Sequence, residues 1–87
     1  MKNPDYRLLI DADAVDFINS LRPAERRLLS RRMREIQEFP SSYCDYTQRD
    51  STGRTVQVHL IGQHAIEYWE DFADRHVKVM RVGLADR

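Results

Sequence analysis

The sequence predicts an α+β domain in which a two-helix hairpin packs on one face of an antiparallel sheet. Three observations lead there. A short alternating segment opens the chain, a region of helical period follows, and everything after Pro40 alternates with the period of a strand. Strands segregated from helices in this way favour an α+β layering over a parallel α/β fold. The chain has 87 residues, the size of one domain with one small core.

Tyr6, Leu8 and Ile10 alternate with Arg7, Leu9 and Asp11, which predicts a first strand with one apolar face. Asp11 and Asp13 offer N-cap carboxylates for a helix. Ala14, Phe17, Ile18 and Leu21 then fall at i, i+3, i+4 and i+7 and form one buried stripe. Arg22-Pro23 ends this helix and opens another, because proline suits the first helical position. Leu29, Met33 and Ile36 form its apolar stripe with Leu28 on the flank, and Pro40 closes it. Ser41 and Ser42 begin a loop, and Tyr43 to Arg49 can form a strand.

Asp50-Ser51-Thr52-Gly53 is a strong turn signal. Beyond it Val56, Val58 and Leu60 face one way, and Thr55, Gln57 and His59 the other. The expectation is that the valine side meets the core and His59 does not. Gly62-Gln63 permits a turn into a strand where Ile66 and Tyr68 alternate with Glu67 and Trp69. Asp71 to Arg75 makes another turn. The last strand, His76 to Val82, would place Val77 and Val79 on one face and Met80 and Val82 on the other. The order is strand, helix, helix, then three or four strands in a meander.

Charge narrows the function. Lys+Arg number 14 and Asp+Glu 14, so the net charge is zero, which disfavours bulk attraction to nucleic acid or an anionic membrane. One cysteine, Cys44, excludes an internal disulfide. Met1-Lys2-Asn3-Pro4-Asp5 lacks the apolar run of a signal peptide, and no apolar run is long enough to span a bilayer, so the cytoplasm is the expected location. Residues 1–87 read as a single domain. His59, His64 and His76 match no standard zinc spacing, and no metal or cofactor is expected.

Arginine is used 12 times and lysine twice. Arg27, Arg31 and Arg34 share a stripe of the second helix, opposite Leu29, Met33 and Ile36. The stripe is either a solvated face paired with Glu25, Glu35 and Glu38 or a docking face. Arginine's preference for interfaces makes a protein partner the better occupant. Glu67, Glu70, Asp71 and Asp74 form an acidic cluster beside Trp69 and Phe72. Such a patch repels a phosphate backbone, so Trp69 is read as a partner-binding anchor.

The whole arrangement resembles the RelE/ParE superfamily of toxins from bacterial type II toxin–antitoxin systems. The resemblance rests on the opening strand, the helical hairpin ending at Phe39-Pro40, the Gly53-Arg54 turn, and above all Val58-His59-Leu60-Ile61-Gly62-Gln63-His64-Ala65-Ile66-Glu67-Tyr68. Val79-Met80-Arg81-Val82-Gly83 looks like the family's last strand. It implies a β-α-α-β-β-β fold, a small antitoxin protein as partner and, in one branch, ribosome-dependent cleavage of mRNA. In that branch cations surround the scissile phosphate and offset its developing charge. Here the paired lysines would fall at Gln57 and His59, one arginine at Ala65 and another near Ala85, and no tyrosine follows Arg87. The YafQ-like toxins use histidine instead, at a spacing matched by His59 and Tyr68. On this resemblance His59 is the acid–base group, with Arg54 and Arg81 as cationic helpers. The other reading is a non-enzymatic module that inhibits a target such as gyrase by binding, or a degenerate toxin that binds a partner or forms a homodimer.

Overall fold

The computed structural model describes residues 6–85. The Met1–Asp5 stretch and the terminal Arg87 lie outside the described residues. Strand β1 (Arg7–Ile10) leads into helices α1 (Ala12–Asn19) and α2 (Pro23–Glu38). A 3-10 turn at Pro40–Tyr43 follows, then β2 (Tyr46–Arg49), β3 (Thr55–Ile61), β4 (His64–Asp71) and β5 (His76–Leu84).

Local chemistry sets the helix ends. The Asp11 carboxylate accepts the Asp13 N–H at 3.0 Å and satisfies one of the free donors of the first turn. Pro23 occupies the first turn of α2, and the backbone leaves helical geometry at Phe39, immediately before Pro40. Tyr43 belongs to the 3-10 turn, so the strand expected from Tyr43 begins at Tyr46.

The sheet order is β1-β5-β4-β3-β2. Strands β2 to β5 are antiparallel neighbours, as their short turns require. β1 runs parallel to β5, so the sheet is mixed rather than purely antiparallel. The reason is the chain path: the helical hairpin and the meander return β5 to the open side of β1, in its own direction. Four strands follow the helices, one more than the β-α-α-β-β-β order.

One face of the sheet is covered by the helices. Ala14, Ile18, Leu29, Met33 and Ile36 pack there against Ile61, Ile66, Tyr68, Val77, Val79 and Val82. The fully buried Tyr68 donates its hydroxyl to the Pro40 carbonyl at 2.6 Å and ties the end of the hairpin to the sheet. Burial pushes the phenol pKa up.

Val82 corrects the strict alternation expected for β5. Glu67 pairs with Arg81 and Tyr68 with Val79, which leaves Met80 without a partner in the ladder. This bulge turns the strand by one residue and returns Val82 to the core side. Among the described residues no helix is long and apolar enough to cross a membrane.

Candidate functional site

Cross-strand partners share a face of a sheet, so the register sorts the candidate residues. Gln57 pairs with the buried Tyr68, His59 with the buried Ile66 and Ile61 with His64. Gln57, His59 and Ile61 therefore lie under the helices. Val58 pairs with Glu67 and Leu60 with Ala65 on the opposite, helix-free face. The expectation for β3 is thus reversed. Val56 and Val58 are buried on the helix-free face, whereas Leu60 there is 43% exposed. His59 faces the helices and is only 6% exposed.

His59 is held at both ring nitrogens. Nδ1 lies 3.0 Å from Asp45 Oδ2, and Nε2 lies 2.7 Å from Nη1 of Arg32 on α2. Arginine can only donate and a carboxylate only accept, so one tautomer satisfies both contacts: Nδ1–H donates to Asp45 while Nε2 accepts from Arg32. The same Asp45 oxygen accepts the Leu60 N–H at 2.7 Å. Arg32 also meets Glu35 at 2.9 Å, and its guanidinium stands 5.0 Å from the centre of the Tyr43 ring. Tyr43 in turn meets the His59 ring edge-on at 5.4 Å. The cluster joins α2, the 3-10 turn, the segment just before β2, and β3. His59's base lone pair is engaged by Arg32.

The two proposed cationic helpers stand on the other side of the sheet. The Arg54 guanidinium lies 4.3 Å from the centre of the Trp69 ring, and Lys78 Nζ lies 5.0 Å from the same ring. Arg81 Nη1 donates to Glu67 Oε2 at 2.9 Å. Glu67 shares the face of Val58, so Arg54 and Arg81 face away from His59 across the sheet. The structure does not bring the three together. It also separates Gln57 and His59 from Ala65, which lies on the helix-free face with Leu60 and Gly83. The residues of β3 on the face of Ala65 are Val56, Val58 and Leu60, all apolar.

Trp69 is half-buried beneath two cations. The cations reach it from Arg54, just before β3, and from β5, contacts that no local pattern encodes. A shallow depression of about 350 Å³ runs beside it, lined by Leu9, Asp11, Arg54, Lys78 and Met80 among others. Of Tyr68, Trp69 and Phe72, Phe72 is the open one, 71% exposed.

The acidic cluster is divided. Glu67 meets Arg81, and Asp71 accepts from Lys78 Nζ at 2.8 Å. Glu70, on the helix side, accepts from Gln57 Nε2 at 2.8 Å. The Lys78 hydrogen bond, with the Asp74 N–H, holds the Asp71 carboxyl below the usual aspartate range. Arg27, Arg31 and Arg34 are exposed on α2. His64 packs edge-on against Phe17 at 5.8 Å, away from His59. Among the described residues no group of three or more His, Cys, Asp or Glu side chains is arranged to hold a metal ion.

A chain of the toxin–antitoxin complex RelBE2 from Mycobacterium tuberculosis matches this fold with a TM-score of 0.77. The identity is 15%, over 92% of this chain and 98% of that one. The isolated RelE toxin of E. coli matches with a TM-score of 0.71 at 19% identity, over 94% of this chain and 86% of that one. The fold is that of the RelE toxins. The intact E. coli RelBE complex adds a chain with a TM-score of 0.72 at 21% identity, over 94% of this chain and 99% of that one. No family model and no curated protein matches the sequence. The resemblance carried by Val58 to Tyr68 thus holds at the level of the RelE fold, and in this chain the turn falls at Gly62 and Tyr68 is buried.

Within that fold the partnered polar groups were the hardest to read in advance. Asp45 and Arg32 lie 14 and 27 residues from His59, and neither spacing carries a signal. The one available hint was the break in apolar alternation at His59-Leu60-Ile61.

Proposed function

We propose that the chain is the toxin-like component of a type II toxin–antitoxin pair, neutralised by a small antitoxin and acting by binding its target. The observation that carries the reading is the match to RelE toxin structures over at least 92% of the chain. Action by binding is supported by the state of the cations. Arg81 and Lys78 already face carboxylates, Arg54 and Lys78 flank Trp69, and the positions around Ala65 are apolar. Arg54 and Lys78 share the depression beside Trp69 with Asp11, whose carboxylate repels a phosphate, while His59 lies on the opposite face. The cytoplasm is the compartment this role requires.

The Asp45–His59 contact favours a second reading, ribosome-dependent mRNA cleavage. A carboxylate that orients an imidazole is the arrangement an acid–base catalyst needs. For His59 to act, Arg32 must first release Nε2.

Induction of the chain alone tests both. Growth, pulse-labelled translation, DNA-damage signalling and the 5′ ends of mRNA are followed together. Arrest without new mRNA ends supports action by binding. New ends that disappear in a correctly folded His59→Gln variant replace it with the nuclease. Unaffected growth at high expression overturns the toxin-like reading itself.

A further inference from the structure

The helical hairpin separates its charge. From Asp11 to Asn19 the chain carries three aspartates and no cation, while from Arg22 to Glu38 it carries six arginines against three glutamates. Arg32 is matched by Glu35. Asp13, Asp16, Arg27, Arg31 and Arg34 are all exposed, and among the described residues none of them has an ion-pair partner. Each outward face also shows one large apolar side chain, Val15 on α1 and Leu28 on α2, both 38% exposed. Beside Leu28 a shallow depression opens between Ala24, Arg27 and Arg31.

An anionic and a cationic helical face of matching length thus stand side by side on one molecule, each without a counterpart. We propose that they meet between two copies of the chain, α1 of each copy lying along α2 of the other about a two-fold axis. Such an interface is self-complementary and closes as a dimer. The lengths agree. At 1.5 Å per residue α1 is roughly 12 Å long and the Arg27–Arg34 stripe about 10 Å. Val15 of one copy then enters the depression beside Leu28 of the other, with the charges as a rim that sets orientation. RNA is the weaker occupant, because the α2 face offers Leu28 and Ala24 but no aromatic ring on which a base could stack. The dimer is independent of whether the chain is toxic.

Sedimentation equilibrium of the purified full chain tests it. The native chain dimerises at low salt, and about 0.5 M salt weakens the dimer by roughly tenfold or more, because rim charges are screened. Arg27→Glu/Arg31→Glu makes both helices anionic, and Asp13→Arg/Asp16→Arg makes both cationic. Each variant alone loses the dimer by at least about tenfold, since like charges meet in both seams. A one-to-one mixture restores a heterodimer, because every seam again pairs opposite charges. Circular dichroism melts verify the folds, and Asp16→Arg alone replaces the double variant if α1 frays. A native chain that stays monomeric at about 100 μM in low salt overturns the proposal, being weaker than specific dimers of interest. So do variants that dimerise like the native chain, or a mixture that stays monomeric. A labelled single-stranded RNA that binds the monomer and is lost in Arg27→Glu/Arg31→Glu would give α2 to nucleic acid instead.

Discussion

Replacing His59 by alanine should destabilise the fold whatever it does to function. The imidazole is 6% exposed, meets Asp45 at 3.0 Å and Arg32 at 2.7 Å, and packs edge-on against Tyr43. Two hydrogen bonds to charged partners contribute about 1.5–3 kcal/mol each at most. Both partners keep other contacts, Asp45 with the Leu60 N–H and Arg32 with Glu35, and Asp45 is about half exposed. They recover hydration, so the lost hydrogen bonds fall near the low end, and the vacated space adds roughly 1 kcal/mol. The sum is about 2–4 kcal/mol, a large part of a small domain's stability. Urea unfolding should show it as a lower midpoint with an unchanged m-value, and heating as a melting point lower by on the order of 10–20 °C. A double-mutant cycle with Arg32→Ala should give a coupling of about 1 kcal/mol. A loss below about 0.5 kcal/mol would refute the placement of His59 as a buried connector between α2 and β3. If cleavage activity vanished at the same time, His59 would belong to a reactive site instead.

Tyr68→Phe should cost about 1–2 kcal/mol by equilibrium unfolding, since the Pro40 carbonyl loses its buried donor while the ring still fits. Asp71 has a depressed folded pKa, so its pairing with Lys78 stabilises the fold above the ordinary value of 3.8 and is lost as pH falls below it. Asp71→Asn should therefore flatten the fall in stability below about pH 4 and leave its shape at neutral pH unchanged. Gly62→Ala should cost about 1–2 kcal/mol from the backbone alone, because φ is +60° and an added Cβ meets nothing within 4 Å. Arg54→Ala should shift the emission of Trp69, the single tryptophan, and cost about 0.5–1 kcal/mol by chemical unfolding.

The helices were legible in detail. Asp11, Pro23 and Pro40 act on their own or adjacent turns, and the Ala14–Ile18 and Leu29–Met33–Ile36 stripes repeat at the helical period that packs them. The turns at Asp50–Gly53 and Gly62 were legible for the same reason. Asp50 satisfies the Thr52 and Arg54 N–H groups within its own turn, and the glycines alone accept φ of +83° and +60° at no steric cost. The candidate site was legible only as a set of residue types. His59, Arg81 and Trp69 lie on strands and Arg54 just before β3, as the alternation implies, but their distribution over the two faces was not legible. Alternation says which residues share a face but not which face meets the helices, and on β3 the more apolar side, Val56 and Val58, is the one without a helix above it.

By itself, then, the sequence determined the α+β class, the helix ends, the tight turns and the RelE resemblance, because each depends on neighbours a few residues apart. Only the tertiary structure decided that β1 runs parallel to β5, that a bulge at Met80 returns Val82 to the core, and that His59 lies under α2 while Arg54 and Arg81 lie on the far side. Those outcomes depend on register and on contacts 14 or more residues apart, where a one-residue shift exchanges the two faces of a strand. The zero net charge belongs to both. The sequence counts it, but only the packed hairpin shows that Asp13 and Asp16 on one helix and Arg27, Arg31 and Arg34 on the next all point outward, outside any ion pair among the described residues.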